Sequence, residues 1–179
     1  RYTLRSVKSW QDVYHFILIP TYQEDYSIVA GCLEGLLKTN YPKSKMAVVL
    51  CWEERGGVQT ENVVKEIEKT YKNSFFELIT VKHPSGLAGE MPGKGSNTAY
   101  GAKFVKDNVI DPRGISYNHI MVSNFDIDTV VSSEYFGILT HTFLATENPL
   151  RASYQPIPLY VNNIWEAPSI ARVVASSAT

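Results

Sequence analysis

The chain has little with which to cross-link or anchor itself. Cys32 and Cys51 are its only cysteines and show no C-x-x-C spacing. Each lies in an apolar stretch, so both are expected to be buried free thiols, which fits a reducing compartment. No N-x-S/T sequon occurs, no secretory leader pattern opens the chain, and no apolar run is long enough to span a bilayer. An excess of either charge is also missing: 17 Lys and Arg stand against 18 Asp and Glu, for a formal net charge of -1. That excludes whole-domain attraction to nucleic acid or anionic lipid and leaves only a local site for a small anion. His15, His83, His119 and His141 show no metal-ligand spacing, and His15 and His119 are expected in strands without a catalytic role. There is no nucleophile elbow, no Ser/His/Asp order, no internal repeat and no low-complexity segment.

What remains is a chain of 179 residues, 44% apolar and 20% charged, which suits one globular domain with a sizeable core. It opens on Arg1 rather than Met, and is expected to be a piece of a longer protein. Apolar runs at 14–19, 46–51, 75–81 and 119–125 read as buried strands, the first ended by Pro20. Between them lie helical faces. Ile28, Cys32 and Leu36 recur beside Val29, Leu33 and Leu37; Val63, Val64, Ile67 and Tyr71 form a second stripe; Ala99, Tyr100 and Phe104 a third; Tyr135, Phe136, Leu139 and Phe143 a fourth. Strand alternating with helix predicts an α/β domain: a mostly parallel sheet covered on both faces, with ligands beyond the carboxyl ends of the strands. After Leu150 the register changes. Residues 151–155 suggest a further strand, Pro156 and Pro158 break it, and 164–175 reads as an amphipathic helix.

Polar clusters fall at the expected strand ends. In Asp126-Ile127-Asp128 an extended chain would put both carboxylates on one face, where they could share a divalent cation; the other reading is an acidic turn capping a helix that starts near Ser132 or Ser133. Thr21, Tyr22 and Glu24 follow the first strand as candidate polar ligands, while Asp25 or Ser27 fits a helix cap. Glu53 and Glu54 follow the second strand and could accept hydrogen bonds from a nucleobase N–H or a ribose hydroxyl, or simply be solvated. In 89–97, glycines, a helix start near Ser96 and Lys94 together suit a diphosphate; a glycine turn holding a surface lysine is the plainer account. A nucleotide-triphosphate P-loop is excluded by Ala88 and Gly95, and a dinucleotide fingerprint by Thr98.

Taken together, Ile17-Leu18-Ile19-Pro20-Thr21-Tyr22-Gln23-Glu24, Gly93-Lys94-Gly95-Ser96-Asn97 and Phe125-Asp126-Ile127-Asp128 resemble the inverting family 2 glycosyltransferases that include cellulose, chitin and hyaluronan synthases. The resemblance covers residues 14–150. It implies a glycosyltransferase-A fold, a nucleoside diphosphate sugar as donor, and Mg²⁺ or Mn²⁺ as cofactor. By position, Thr21, Tyr22 and Glu24 would contact the nucleoside, Lys94 the diphosphate, Asp126 the nucleotide or sugar, and Asp128 the metal. The usual Asn before the glutamate is Gln23 here, and Glu53 or Glu54 replaces an aspartate after the second strand. The general base expected in a Glu-Asp motif well after Asp-x-Asp is missing, as is the Gln-x-x-Arg-Trp acceptor motif, so the base is expected outside this chain.

Residues 151–179, with Tyr154-Gln155-Pro156 and Asn162-Asn163-Ile164-Trp165, resemble the segment leading toward an interface helix in membrane-bound synthases. That implies a membrane-associated whole protein with this domain on the cytoplasmic side. Two other functions compete: a non-catalytic nucleotide-sugar-binding module, and a haloacid-dehalogenase-type phosphotransferase. The latter also uses Asp-x-Asp, but after its first strand.

Overall fold

The computed structural model describes residue 7 and residues 9–156. Four strands, β1 (Tyr14–Thr21), β2 (Met46–Glu53), β3 (Glu77–His83) and β4 (Ile120–Asn124), form one parallel sheet in the order β3-β2-β1-β4. The helices are α1 (Tyr26–Leu37), α2 (Gly57–Tyr71), α3 (Lys94–Val105) and α4 (Tyr135–Ala145). The doubly covered sheet follows from the two-residue period of the strands. Ile17 and Ile19 with Met46, Val48, Leu50 and Trp52 join the core packed by α1, α2 and Phe136. Phe16 and Leu18 with Ala47, Val49 and Cys51 join the core packed by α3. Full burial of each such side chain stabilises by about 1.5–3 kcal/mol, so both faces are committed to helices.

The strand order reverses between β1 and β4. In sheets of this kind that switch point opens a crevice beyond the carboxyl ends, and it sets where a ligand can sit.

Several elements differ from the sequence expectation. β1 runs through Pro20, paired in register with Cys51. The Phe125 N–H donates to the Leu18 carbonyl (3.0 Å), so Leu18 turns its polar groups toward β4 and, by alternation, so does Pro20, at a level where pairing with β4 has already stopped at Leu18 and Asn124. Its missing N–H therefore costs no ladder bond. β2 extends to Glu53, making Trp52 and Glu53 strand residues, and β3 extends alongside it to His83, where Pro84 stops it. His119 lies in a 3₁₀ turn, Tyr117–His119, just before β4.

The buried stripe of α3 is Asn97, Gly101 and Val105, and Tyr100 is partly buried against the same core; Ala99 and Phe104 face outward because α3 is seated against β2 mainly by small and polar contacts. Ile28 of α1 is likewise exposed. Residues 151–155 are not a strand: Pro149 starts a 3₁₀ turn, Pro149–Arg151, and irregular chain follows to 156, where Tyr154 packs against Val13, Met121 and Phe143. The expected helix at 164–175 lies outside the described residues. No helix among the described residues is long and apolar enough to cross a membrane.

Candidate functional site

Every polar cluster singled out in the sequence lies at the carboxyl end of the sheet. After β1 the chain turns sharply. The Glu24 carboxylate folds back to accept from the Tyr22 N–H and the Thr21 hydroxyl, each at 2.5 Å, and Gln23 between them is held at φ 75°. Glu24 thus closes its own loop, Thr21 is buried, and Tyr22 is left at the surface. Asp25 stands at the N-cap of α1, but its side chain makes no capping bond.

After β2 the two glutamates diverge. Glu53 is 4% exposed and is gripped by Arg55 through Nε to Oε2 and, at 3.1 Å, through Nη2 to Oε1. That bond is the main reason the guanidinium pKa is raised above its ordinary value. The Arg55 guanidinium lies 4.5 Å over the Tyr22 ring, so Arg55 links Tyr22 at its face to Glu53 at its edge. Glu54 instead accepts from the Ser85 N–H (3.1 Å) and hydroxyl and pairs with Lys82 at 3.3 Å; the Ser85 N–H first, then Lys82, holds its carboxyl below the usual range. Glu54 therefore serves the β3 side. A small cleft of about 40 Å³ opens beside Glu53 and Arg55, with His83 and Glu90 joined across it at 2.9 Å. A larger cavity of about 90 Å³, lined by Asn118, Phe143 and Leu150, lies away from these residues.

The glycine segment before α3 is positioned from below. The Asn97 side chain, 1% exposed, donates to the Cys51 carbonyl at 2.8 Å. A Cβ on Gly101 would come within 2.2 Å of the Cys51 sulfur, so the helix can press onto β2 only because that position is glycine. Lys94 is the first residue of α3, after Gly93, and its ammonium pairs with the Asp126 carboxylate. Two clusters far apart in sequence thus meet beside the switch point. Asn97, Gly101 and Arg55 were not singled out by role in the sequence; only their fixed spacing from Lys94 and Glu53 could have flagged them.

Asp126 and Asp128 do not sit on one extended segment. β4 ends at Asn124, and a turn closed by the Thr129 N–H to the Asp126 carbonyl (2.9 Å) follows. Asp128 is near enough to Cys32 of α1 that its charge adds to burial, the larger cause, in pushing that thiol up to about 11. Asp128 is not a helix cap either, since α4 begins at Tyr135 with Glu134 before it. Both carboxylates are exposed. No group of three or more metal-ligating side chains occurs among the described residues. A pair of carboxylates completed by ligand phosphates is nevertheless a donor set that suits Mg²⁺ or Mn²⁺.

Asp-x-Asp after the fourth strand is also the wrong position for a dehalogenase-type phosphotransferase. Among solved structures, the crystal structure of S. aureus TarS 1–349 is similar at a TM-score of 0.52 and 18% identity, over 84% of this chain and 40% of that one. The same protein in complex with UDP-GlcNAc is similar at a TM-score of 0.49 and 18% identity, over 84% and 39%. At that identity the first of these supports the fold, and this chain spans about 40% of the structure's length. No curated protein sequence matches it significantly. Residues 15–156 match the family described as glycosyltransferase like family 2, and the chain belongs to that family.

Proposed function

We propose that this domain binds the nucleoside diphosphate sugar of an inverting glycosyltransferase of the cellulose, chitin and hyaluronan synthase kind. The observation that carries the reading is the meeting of Lys94 with Asp126 at the switch point, on the first turn of a helix whose N–H groups face the same crevice. Lys94 is paired with Asp126. A diphosphate would displace that carboxylate, take the ammonium and the helix N-terminus for itself, and free Asp126 for the nucleotide or sugar.

Asp126 and Asp128 would hold Mg²⁺ or Mn²⁺ together with the diphosphate. When bound, the ion would supply positive charge against the leaving group. Lys94 and the α3 N-terminus act in the same sense, placed in advance where charge develops as the sugar departs. Thr21 and Tyr22 would border the nucleoside, with Glu24 holding their loop in shape.

The acceptor hydroxyl would attack in line, on the face opposite the diphosphate, giving inversion. Its base would come from beyond these residues. Of the carboxylates after Asp128, Glu134 accepts from Asn40, and Glu147 lines the cavity that excludes the site residues. The same observation favours a second reading, a nucleotide-sugar-binding module without transfer activity. An assay of sugar transfer by the whole protein separates the two. Membrane association on the cytoplasmic side rests on the synthase resemblance alone.

The test of donor binding is calorimetric titration of UDP, GDP and UDP-GlcNAc, with and without Mn²⁺, into the native chain, Lys94→Ala and Asp128→Asn. Losing a charge-assisted hydrogen bond costs about 1.5–3 kcal/mol, so each variant should bind roughly ten- to a hundredfold more weakly while melting near the native temperature. Undiminished metal-dependent binding by both variants contradicts the assignment.

A further inference from the structure

The carboxylate expected to read the base is already occupied. Both Glu53 oxygens accept from Arg55, through the Nε and Nη2 edge of its guanidinium, which lies over the Tyr22 ring. Glu53 is buried, whereas the Arg55 side chain is 40% exposed and lines the cleft at the ends of β2 and β3. The outer edge of the guanidinium, formed by Nη1 and Nη2, keeps a parallel pair of N–H donors for a guest.

We propose that Arg55, positioned by Glu53, reads the nucleobase of the donor, and that its free edge selects a base with adjacent acceptors, as guanine presents with O6 and N7, over uracil. This rests on the donor-site reading above and names the base class for that site. A fork of parallel donors matches O6 and N7 in a bidentate fashion. Uracil offers the opposite pattern, an N3–H donor between two carbonyls, and needs an acceptor at its centre. Glu53 would be that acceptor, but Arg55 engages both of its oxygens and burial keeps them from a guest. The two bonds to Glu53 fix the guanidinium and Tyr22 packs against its face at 4.5 Å, so the outer edge is held in one orientation.

The experiment measures binding of GDP, UDP and inorganic diphosphate, all with Mn²⁺, to the native chain and to Arg55→Gln. The native chain should prefer GDP over UDP by roughly five- to a hundred-and-fiftyfold, the worth of one bidentate base contact. Arg55→Gln should bring that ratio to unity or below, since it frees Glu53 to accept from uracil, and leave diphosphate affinity unchanged. Removing Arg55 strands a buried carboxylate, so the paired variant Glu53→Gln with Arg55→Gln is measured as well and should show the same collapse. A merely structural Arg55 would lower all three affinities together and preserve the ratio, which overturns the inference. So does a native chain that binds UDP as tightly as GDP. If diphosphate binds but the bases are not distinguished, only this inference falls. If none of the three binds, the donor-site reading falls and takes this inference with it.

Discussion

Gln23 is the one described residue other than glycine with a positive φ, 75°. Left-handed backbone costs an ordinary side chain roughly 1–2 kcal/mol, and Asn tolerates it better than Gln because its shorter amide can bond locally. The strain is imposed by Glu24, whose carboxylate accepts from residues on both sides of the bend. Gln23→Asn should therefore stabilise the chain by about 0.5 kcal/mol or more, read as a higher urea midpoint at unchanged slope; a loss of stability would show that the Gln side chain is itself needed there. His15 makes a pH-dependent contribution. It is fully buried, bonded through Nε2 to the Thr140 hydroxyl at 2.8 Å and edge-on to Tyr41 and Phe136, and burial lowers its pKa from 6.5 to about 4. The unfolded chain then binds the proton more readily than the folded one. Stability is full above pH 6.5 and declines as pH falls toward about 4, by a total of about 3 kcal/mol from this group. His15→Gln should flatten that part of the stability profile relative to the native chain, and an unchanged slope between those pH values would contradict the account.

At the scale of elements, the placement of α3 decides whether Lys94 can meet Asp126. Its seat is the pair Asn97 to the Cys51 carbonyl and Gly101 against the Cys51 sulfur. Gly101→Ala forces the helix off β2 and should cost about 1–3 kcal/mol through overpacking. Asn97→Ala removes a buried hydrogen bond to the Cys51 carbonyl, at a cost of about 0.5–1.5 kcal/mol. Both should also weaken diphosphate binding, since each moves the helix start, and thermal melts beside titrations check the two effects separately. A large stability loss with unchanged binding would uncouple α3 from the site. The same helix shows where the sequence stops being legible. Of the expected stripe Ala99, Tyr100 and Phe104, only Tyr100 packs against the core; a helix seated by an amide and a glycine buries Asn97, Gly101 and Val105, and hydrophobic periodicity does not register such contacts. The β strands were legible because both faces are apolar, which also hid their ends: Trp52, Glu53 and His83 extend the pairing past the apolar run. The shape of Asp-x-Asp was not legible, because a turn closed by backbone groups replaces the extended segment that would have aligned its carboxylates.

For the whole molecule, the order of elements could be read from strand and helix alternation, and so could the placing of the polar clusters at the carboxyl ends of the strands. How those clusters come together could not be read, because it depends on the strand order β3-β2-β1-β4 and on contacts such as Lys94 with Asp126 that join residues far apart in the chain. The pairing of Glu53 with Arg55 was hidden for another reason: two residues apart in sequence, they are brought together by the turn at Glu54–Gly56. The central claim is that this crevice binds a nucleoside diphosphate with a divalent cation. Its most direct test is the melting temperature of the chain with UDP and with GDP at millimolar concentration, in the presence and absence of Mn²⁺. A ligand at a hundred times its dissociation constant stabilises by about 2.7 kcal/mol, which for a domain of this size raises the melting temperature by roughly 5–10 °C. The account predicts that rise for at least one of the two nucleotides, only with the metal, and largely lost in Lys94→Ala. No rise with either nucleotide and Mn²⁺ at that concentration would contradict it.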